Sequence, residues 1–560
     1  MSLVGNSEST NRNLFHDRGL WLWFIPMIFL GVFFFYPLGA VFHMAGSTPL
    51  AGAGQPSVWT QVAQPLAFTI WQAVLSTVLT LLIGLPAALI FARYAFPLKS
   101  LLRVLVTLPF ILPTVVVAVG FNALLGPHGL VNSLLMNAFN LQEAPFKIMN
   151  TLAAILLAHI FYNTSVVIRV VGSSWTQLDP RLEQAGRVLG ASPGRVLSEV
   201  TLPLLLPAIL AATLLVFLFD FTSFGVILLL GGPRFATVEV AIYTQALEML
   251  NLPLAGLLSA IQLGCTILMV VIYARLSSKQ SVTLMPRLQG EGTRKPKGWI
   301  ETMMVYGVVV LLFSFLISPL VALMLRSLTN LAAGPISLDY YRELFINRRQ
   351  SFFYVPPIQA VFNSLQYALL TVMISLSMGF MVVYALRLRF RLNPVLDAFI
   401  MLPLGTSAVT LGLGYLLVFN RPPLDVRTFP WLIPIAHSLV ALPFVVRALQ
   451  PALSSIPQSL RQAAAVLGSS SLRIWIEVDL PILTRAALVS AIFAFTISLG
   501  EFGATSFLAR PEYPTLPVAI YRYLSQPGEL NYGQALAMST ILMIVCSLSI
   551  FLMEKISREG

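Results

Sequence analysis

Apolar runs of roughly 20 residues or more recur along this chain, each ended by a short polar or Pro/Gly-rich break. They lie near 20–45, 66–92, 102–126, 149–171, 203–230 and 254–274, and again near 300–325, 360–386, 394–420, 430–450, 481–509 and 533–553. At about 1.5 Å of rise per residue, helices of this length match a hydrocarbon core of about 30 Å. The pattern predicts an all-α polytopic membrane protein of about twelve spans, six per half. The alternating segments of about ten residues that a membrane β-barrel needs are not evident.

The two halves are copies. QAGRVLGASPGRVLSEVTLP begins at Gln184, and QAAAVLGSSSLRIWIEVDLP begins at Gln462, an offset of 278. The same offset relates Ala158-His159 to Ala436-His437, Arg169 to Arg447, Phe224-Gly225 to Phe502-Gly503, and Pro233 and Thr237 to Pro511 and Thr515. It also relates Val240-Ala241-Ile242-Tyr243 to Val518-Ala519-Ile520-Tyr521. Upstream the offset is 294, where Leu108-Pro109 and Gly120 match Leu402-Pro403 and Gly414. The chain is a tandem duplication.

Composition agrees with a membrane class. The 560 residues are 57% hydrophobic and 10% charged, with a mean hydropathy of +0.84. A soluble domain carries about 25% charged residues. Cys265 and Cys546 both fall in apolar runs and suggest neither a disulfide nor a metal cluster. The first run follows Arg12 and Arg18 but is too long for a signal-peptide core, so it is expected to be an uncleaved anchor.

Charge sets the expected orientation. With the N-terminus in the cytoplasm, 24 of the 34 Lys and Arg residues fall on the cytoplasmic side. The net charge of +12 then reads as a topology signal and an attraction to anionic lipid, not as a nucleic-acid footprint. Six spans per half give both halves the same orientation, so both copies of the motif face the cytoplasm. Residues 277–298, rich in Gly, Pro, Lys and Arg, read as a flexible linker between them. The largest external segment, about 327–359, carries Arg342, Glu343, Arg348 and Arg349 and suits a short interfacial structure.

Within the motif, Leu182, Ala185, Leu189, Val196 and Val200 repeat the spacing of Leu460, Ala463, Leu467, Ile474 and Val478. That spacing predicts one apolar stripe on a short helix pair, interrupted near the Gly. Small residues at 185, 186, 190 and 463, 464, 468 would let a partner backbone come close. A plain membrane anchor is the alternative, but an anchor needs no Gly and Leu-Pro at matching spacing twice.

This spacing resembles the EAA loop of inner-membrane permeases in binding-protein-dependent ABC importers. The resemblance implies two type I permease repeats: residues 1–276 with a loop at 180–203, and 299–560 with a loop at 457–481. It implies that Gln184, Ala185, Gly186 and Gly190, with Gln462, Ala463, Ala464 and Gly468, form coupling helices that dock into a cytoplasmic ATPase. Gln184 and Gln462 stand where the family usually has Glu, and Gly186 replaces the second Ala. Glu183 offers a charge nearby, but its counterpart is Arg461. The chain has no G-x-x-x-x-G-K-[ST] loop to cradle phosphate, so ATP-Mg is expected on a separate subunit and no cofactor on this chain. The implied assembly is one fused permease in a bacterial inner membrane, both termini cytoplasmic, two ATPase copies below and one extracytoplasmic binding protein above. ATP binding would draw the coupling helices together and open the pathway outward. Residues 222–243 and 498–521 resemble the thiamine and ferric-iron group most; molybdate, sulfate and other small solutes remain alternatives. A remote alternative is an ion-driven secondary transporter.

Asp220 and Glu501 lie in predicted spans, where a charge at mid-bilayer costs about 2.5–3.5 kcal/mol. Both follow a coupling loop. They either line a shared pathway that attracts a cation or form structural hydrogen bonds to neighbouring helices. His159 and His437 read first as packed interface histidines, and Arg169 and Arg447 as anchors at the cytoplasmic surface.

Overall fold

In the computed structural model, described over residues 21–47, 57–232, 234–278, 293–329, 336–347, 355–387, 392–420, 422, 424–425 and 428–558, the apolar runs are helices. Arg12, Arg18, Pro233, Arg348, Arg349 and most of the 277–298 linker lie outside those residues. Among the described residues, eleven helices are long and apolar enough to span a membrane, or twelve if one sharply bent pair is a single span.

The first half comprises α1 (Trp21–Gly46), α2 (Val58–Arg93), α3 (Lys99–Ile111), α4 (Thr114–Leu125), α5 (Leu130–Phe139) and α6 (Leu152–Gln177). Next come α7 (Pro180–Val188), α8 (Pro193–Phe221), α9 (Gly225–Leu230), α10 (Val238–Tyr243) and α11 (Leu252–Leu276). The second half begins with α12 (Gly298–Leu328), α13 (Asp339–Glu343), α14 (Pro357–Arg387), α15 (Asn393–Gly405), α16 (Ala408–Val418) and α17 (Leu432–Ser454). It ends with α18 (Gln458–Val466), α19 (Leu472–Gly500), α20 (Gly503–Leu508), α21 (Leu516–Leu524) and α22 (Glu529–Ile556).

The structure revises the third span of each half. Where the sequence predicts single helices over 102–126 and 394–420, both are broken. Pro113 interrupts the first, because proline has no N–H to donate. The second bends by 97° at Ser407, whose hydroxyl accepts the backbone N–H of Val409 (3.1 Å) and Thr410 (3.3 Å). The predicted fifth spans, 203–230 and 481–509, are cut short as well: α8 ends at Phe221 and α19 at Gly500. The residues beyond those ends fold inward as α9–α10 and α20–α21, with most side chains of both pairs buried. Within the 327–359 segment, α13 is the helix among the described residues.

Each half has a core of three packed helices: α2, α6 and α8 in the first, α14, α17 and α19 in the second. The halves then clasp each other. The first span of each packs on the broken third span of the other: α1 on α16, and α12 on α4. The contact is made at the matched glycines. A Cβ on Gly120 would lie 3.0 Å from the Pro319 carbonyl oxygen. A Cβ on Gly414 would lie 2.9 Å from Pro37 Cβ and 3.0 Å from its carbonyl oxygen. Lipid offers no hydrophobic drive between helices, so such close backbone approach at small residues does much of the joining.

Gly120→Ala and Gly414→Ala should each destabilise the fold by about 1–3 kcal/mol, because the new methyl meets backbone. Gly264→Ala, in α11 with open space around it, should be neutral or stabilise by roughly 0.5–1 kcal/mol. Thermal melting in detergent measures all three. Equal midpoints would remove the clasp as a determinant.

Candidate functional site

The two motif copies form matching helix-turn-helix loops. Each precedes a fifth span, and six crossings separate those spans when the bent pair counts as one, so both loops lie at the same end of the bundle. In the first, Asp179 caps α7 by accepting the Arg181 N–H at 2.9 Å. Gly190 and Gly468 both have φ of +84°, a left-handed conformation that ends α7 and α18. The Gly190 and Ala191 N–H groups donate back to Arg187 (3.0 Å) and Gly186 (3.1 Å), and Gly468 and Ser469 donate to Ala465 and Ala464 (both 3.0 Å). Ser192 and Ser470 then cap the next helix, each accepting an arginine N–H at 3.3 Å. A π-helical turn follows in both, Leu197–Thr201 and Trp475–Asp479, at the same offset of 278.

The predicted single apolar stripe does not survive this geometry. The reversal at the glycine breaks the 3.6-residue register, so the stripe splits. Val196 turns inward, and a Cβ on Gly186 would lie 3.2 Å from its Cγ2. Gly186 therefore serves packing within the loop. The opposite side is apolar and exposed: Leu189 and Leu467 of the predicted stripe are 87% and 85% exposed, and beside them Val188 and Val466, which the sequence reading passed over, are each 87% exposed. Gln184, Ala185, Gln462 and Ala463 are exposed as well, and Ala464 is half-buried. The signal for Val188 and Val466 was available in the shared Val-Leu-Gly, but the helical period leaves them off the stripe.

Each loop is braced to its own half, with the charges exchanged. Glu183 pairs with Arg93 at the end of α2 and accepts the Thr201 hydroxyl at 3.0 Å. The matching positions hold Arg461 and Asp479, which pair at 2.5 Å while Tyr384 donates to Asp479 at 2.8 Å. Glu183 is thus engaged internally. The described end of the linker joins the first brace: the Arg294 N–H donates to the Arg93 carbonyl at 2.9 Å, and the Arg294 side chain pairs with Glu301. Bonding to Glu301 raises the Arg294 pKa above the ordinary guanidinium value.

At mid-bundle each half holds a buried histidine beside a carboxylate. His159 Nε2 lies 2.9 Å from Ser223 Oγ, and its Nδ1 lies 3.3 Å from Asp220 Oδ1. Asn163 donates to the same Asp220 oxygen at 2.6 Å. His437 Nδ1 lies 2.8 Å from Ser498 Oγ, and its Nε2 lies 3.2 Å from Glu501 Oε2. Position 220 matches 498, and 223 matches 501, so carboxylate and hydroxyl have changed places around the histidine. This accounts for the mismatched offset of the two acids. Glu501 also accepts the N–H groups of Ala504 (2.8 Å) and Thr505 (3.0 Å) and so caps α20. Both acids are closed off from solvent in this conformation. Arg447 reaches Asp397 at 3.5 Å.

The sequence reading missed a third internal acid, Glu239 on α10. It is buried, hydrogen-bonded to Gln262, and accepts the Ser407 hydroxyl of the other half at 2.7 Å. Nearby, Phe224 and Phe502, which match across the repeat, stack with ring centroids 5.4 Å apart.

Comparison with known proteins agrees with this architecture. Residues 81–282 match the binding-protein-dependent transport system inner membrane component family. The thiamine transport system permease protein of Salmonella typhimurium is 28% identical over 511 residues, covering 87% of this chain and 88% of the relative. Its Escherichia coli namesake is 26% identical over 506 residues, with the same coverage. The Brucella abortus protein of that name is 26% identical over 487 residues, covering 86% of this chain and 85% of the relative.

Breaking the second brace should be costly and repairable. Arg461→Leu strands Asp479 and should lower stability by about 3–5 kcal/mol. Adding Asp479→Thr, the residue type at the matching position 201, should recover most of it. Thermal melting of single and double variants decides this; equal losses would show that the pair is not a brace.

Proposed function

We infer that this chain, a fused inner-membrane permease of the binding-protein-dependent ABC importer type, forms the membrane pathway for thiamine. The substrate reading is supported by relatives named for thiamine transport that align over nearly the whole chain. A substrate-binding protein delivers the vitamin from outside, and a separate ATPase subunit supplies the energy from the cytoplasm. Both termini and both motif loops face the cytoplasm in this reading, in line with the distribution of Lys and Arg.

The observation that carries the coupling role is the pair of like surfaces at one end of the bundle. Each ends a nine-residue helix at a left-handed glycine, and each presents an exposed Val-Leu pair. Large aliphatic side chains held in water on a fixed turn are suited to entering an apolar groove. Two such handles fit two copies of one ATPase subunit. The braces Glu183–Arg93 and Arg461–Asp479 fix the loops to their own helical cores. Closure of the ATPase dimer would then move α2 and α6 with one handle, and α14 and α17 with the other.

Three measurements test this. Reporter fusions after residue 290 and at the C-terminus should read cytoplasmic, and one near residue 345 external; an external signal at 290 inverts the topology. Serine at Val188, Leu189, Val466 and Leu467 should abolish co-purification of the ATPase while leaving the permease inserted, since burying each aliphatic side chain is worth about 1.5–3 kcal/mol. Proteoliposomes holding the permease, its ATPase and its binding protein should accumulate labelled thiamine with ATP; none accumulated would refute the substrate.

A further inference from the structure

When two like halves are related by an axis, a side chain touches its own counterpart only on or beside that axis. Phe224 and Phe502 are counterparts, and their rings stack at 5.4 Å with planes 24° apart. Tyr243 and Tyr521 are also counterparts, and they neighbour each other. Phe224 lies 5.5 Å from Tyr243, and Phe502 lies 5.6 Å from Tyr521. Four aromatic rings thus cross the axis between the halves. In parallel repeats that axis runs along the membrane normal, where a shared pathway must lie.

The rings are mounted for movement with the halves. Each Phe precedes a glycine that leaves no room against the broken third span of its own half. A Cβ on Gly225 would lie 2.5 Å from Thr114 Oγ1, and one on Gly503 would lie 3.0 Å from Ala408 Cβ. Each Tyr ends or lies within a short helix whose first N–H is pinned to the second span. The Val238 N–H donates to Thr69 Oγ1 at 2.9 Å, and the Leu516 N–H donates to Ser364 Oγ at 2.7 Å. Separating the halves parts the rings as two pairs, Phe224 with Tyr243 and Phe502 with Tyr521.

Charge adds direction. Glu239 lies one helical turn before Tyr243 and is buried, with no ion-pair partner among the described residues. A buried carboxylate without a cation is costly, and a passing cation would offset that cost. Aromatic faces carry negative potential and attract delocalised cations.

We propose that Phe224, Phe502, Tyr243 and Tyr521 close the pathway at the axis and, once parted, hold a planar organic cation against their faces, with Glu239 as its counter-charge. The choice of cation rests on the thiamine reading, since a thiazolium ring is such a cation. An anion is disfavoured by both the rings and the carboxylate.

The full transporter in proteoliposomes tests this in two arms. In the first, labelled thiamine uptake is measured below saturation. Phe224→Leu with Phe502→Leu keeps apolar bulk but removes the π faces, and uptake should fall about tenfold at unchanged abundance. Phe224→Tyr with Phe502→Tyr should recover most of that loss. Glu239→Gln retains the shape and should lower uptake at least fivefold. Uptake within twofold of wild type in both the leucine pair and Glu239→Gln would overturn the cation station. In the second arm, which needs no substrate, Phe224→Ala with Phe502→Ala should release trapped rubidium ions passively; retention as tight as wild type would overturn the constriction. If the wild-type transporter moves no thiamine, the substrate reading fails and the cation station with it, while the rubidium arm still decides the constriction.

Discussion

Everything central to this protein depends on the meeting of two polypeptide halves at positions with no room for a side chain. At Gly120 and Gly414 the backbone of one half lies against a proline turn of the other. Within lipid, water expulsion contributes little to such a contact, so fit at short range and satisfied polar groups must supply the cohesion. Because the clasp is made by the broken third spans, the start of α16 in the second half also reaches the first half. The Ser407 hydroxyl, which caps α16, makes three interactions at once: it accepts two N–H groups of its own helix and donates to Glu239 of the other half. The bend, the clasp and the buried acid are one local structure.

The halves keep geometry more faithfully than chemistry inside. Around His159 the acid is at position 220 and the hydroxyl at 223; around His437 the hydroxyl is at 498 and the acid at 501. At the loop brace, Glu and Thr in one half become Arg and Asp in the other. Each arrangement satisfies the same buried histidine or ties the same two helices. A buried polar group needs a partner of correct geometry, and which side supplies the charge matters less than that it is supplied.

Much of this was legible in sequence because membrane spans announce themselves by length and apolarity. The duplication, the six-plus-six arrangement and the two loops all followed from residues such as Gln184, Gly190 and Gln462. What escaped was short-range. The inward helices α9 and α20 were read as the ends of the fifth spans, and α10 and α21 are too short to register as spans, so Glu239 on α10 was not picked out. Leu189 fitted a helical period that the left-handed Gly190 interrupts. The break at 406–407 needed a serine cap, which no apolar window detects. Asp220 and Glu501 lie 281 residues apart rather than the repeat's 278, and only the position of each beside its own histidine explains the difference.

The outward surface of the loops behaves in the opposite way from the interior. Val188 and Val466, Leu189 and Leu467, and Gly190 and Gly468 are the same residues in the same conformation. The exposed pairs Arg195–Glu199 and Arg473–Glu477 also match, at 2.9 and 2.8 Å. Surface ion pairs of this kind contribute little stability, typically under about 1 kcal/mol, so their likeness does not follow from folding. Nor does the likeness of four aliphatic side chains held in water, which folding alone would place inside. An interior can exchange acid for base as long as each half closes on itself. An exposed surface gains nothing for the fold by staying the same, so its likeness points to contact with something outside the chain. The exterior is kept only in part, since exposed Arg187 stands opposite Ala465 in the other copy, but the Val-Leu-Gly turn and the Arg–Glu pair stay the same while the interior exchanges acid for base, and a loop kept only for the fold would be expected to show the reverse.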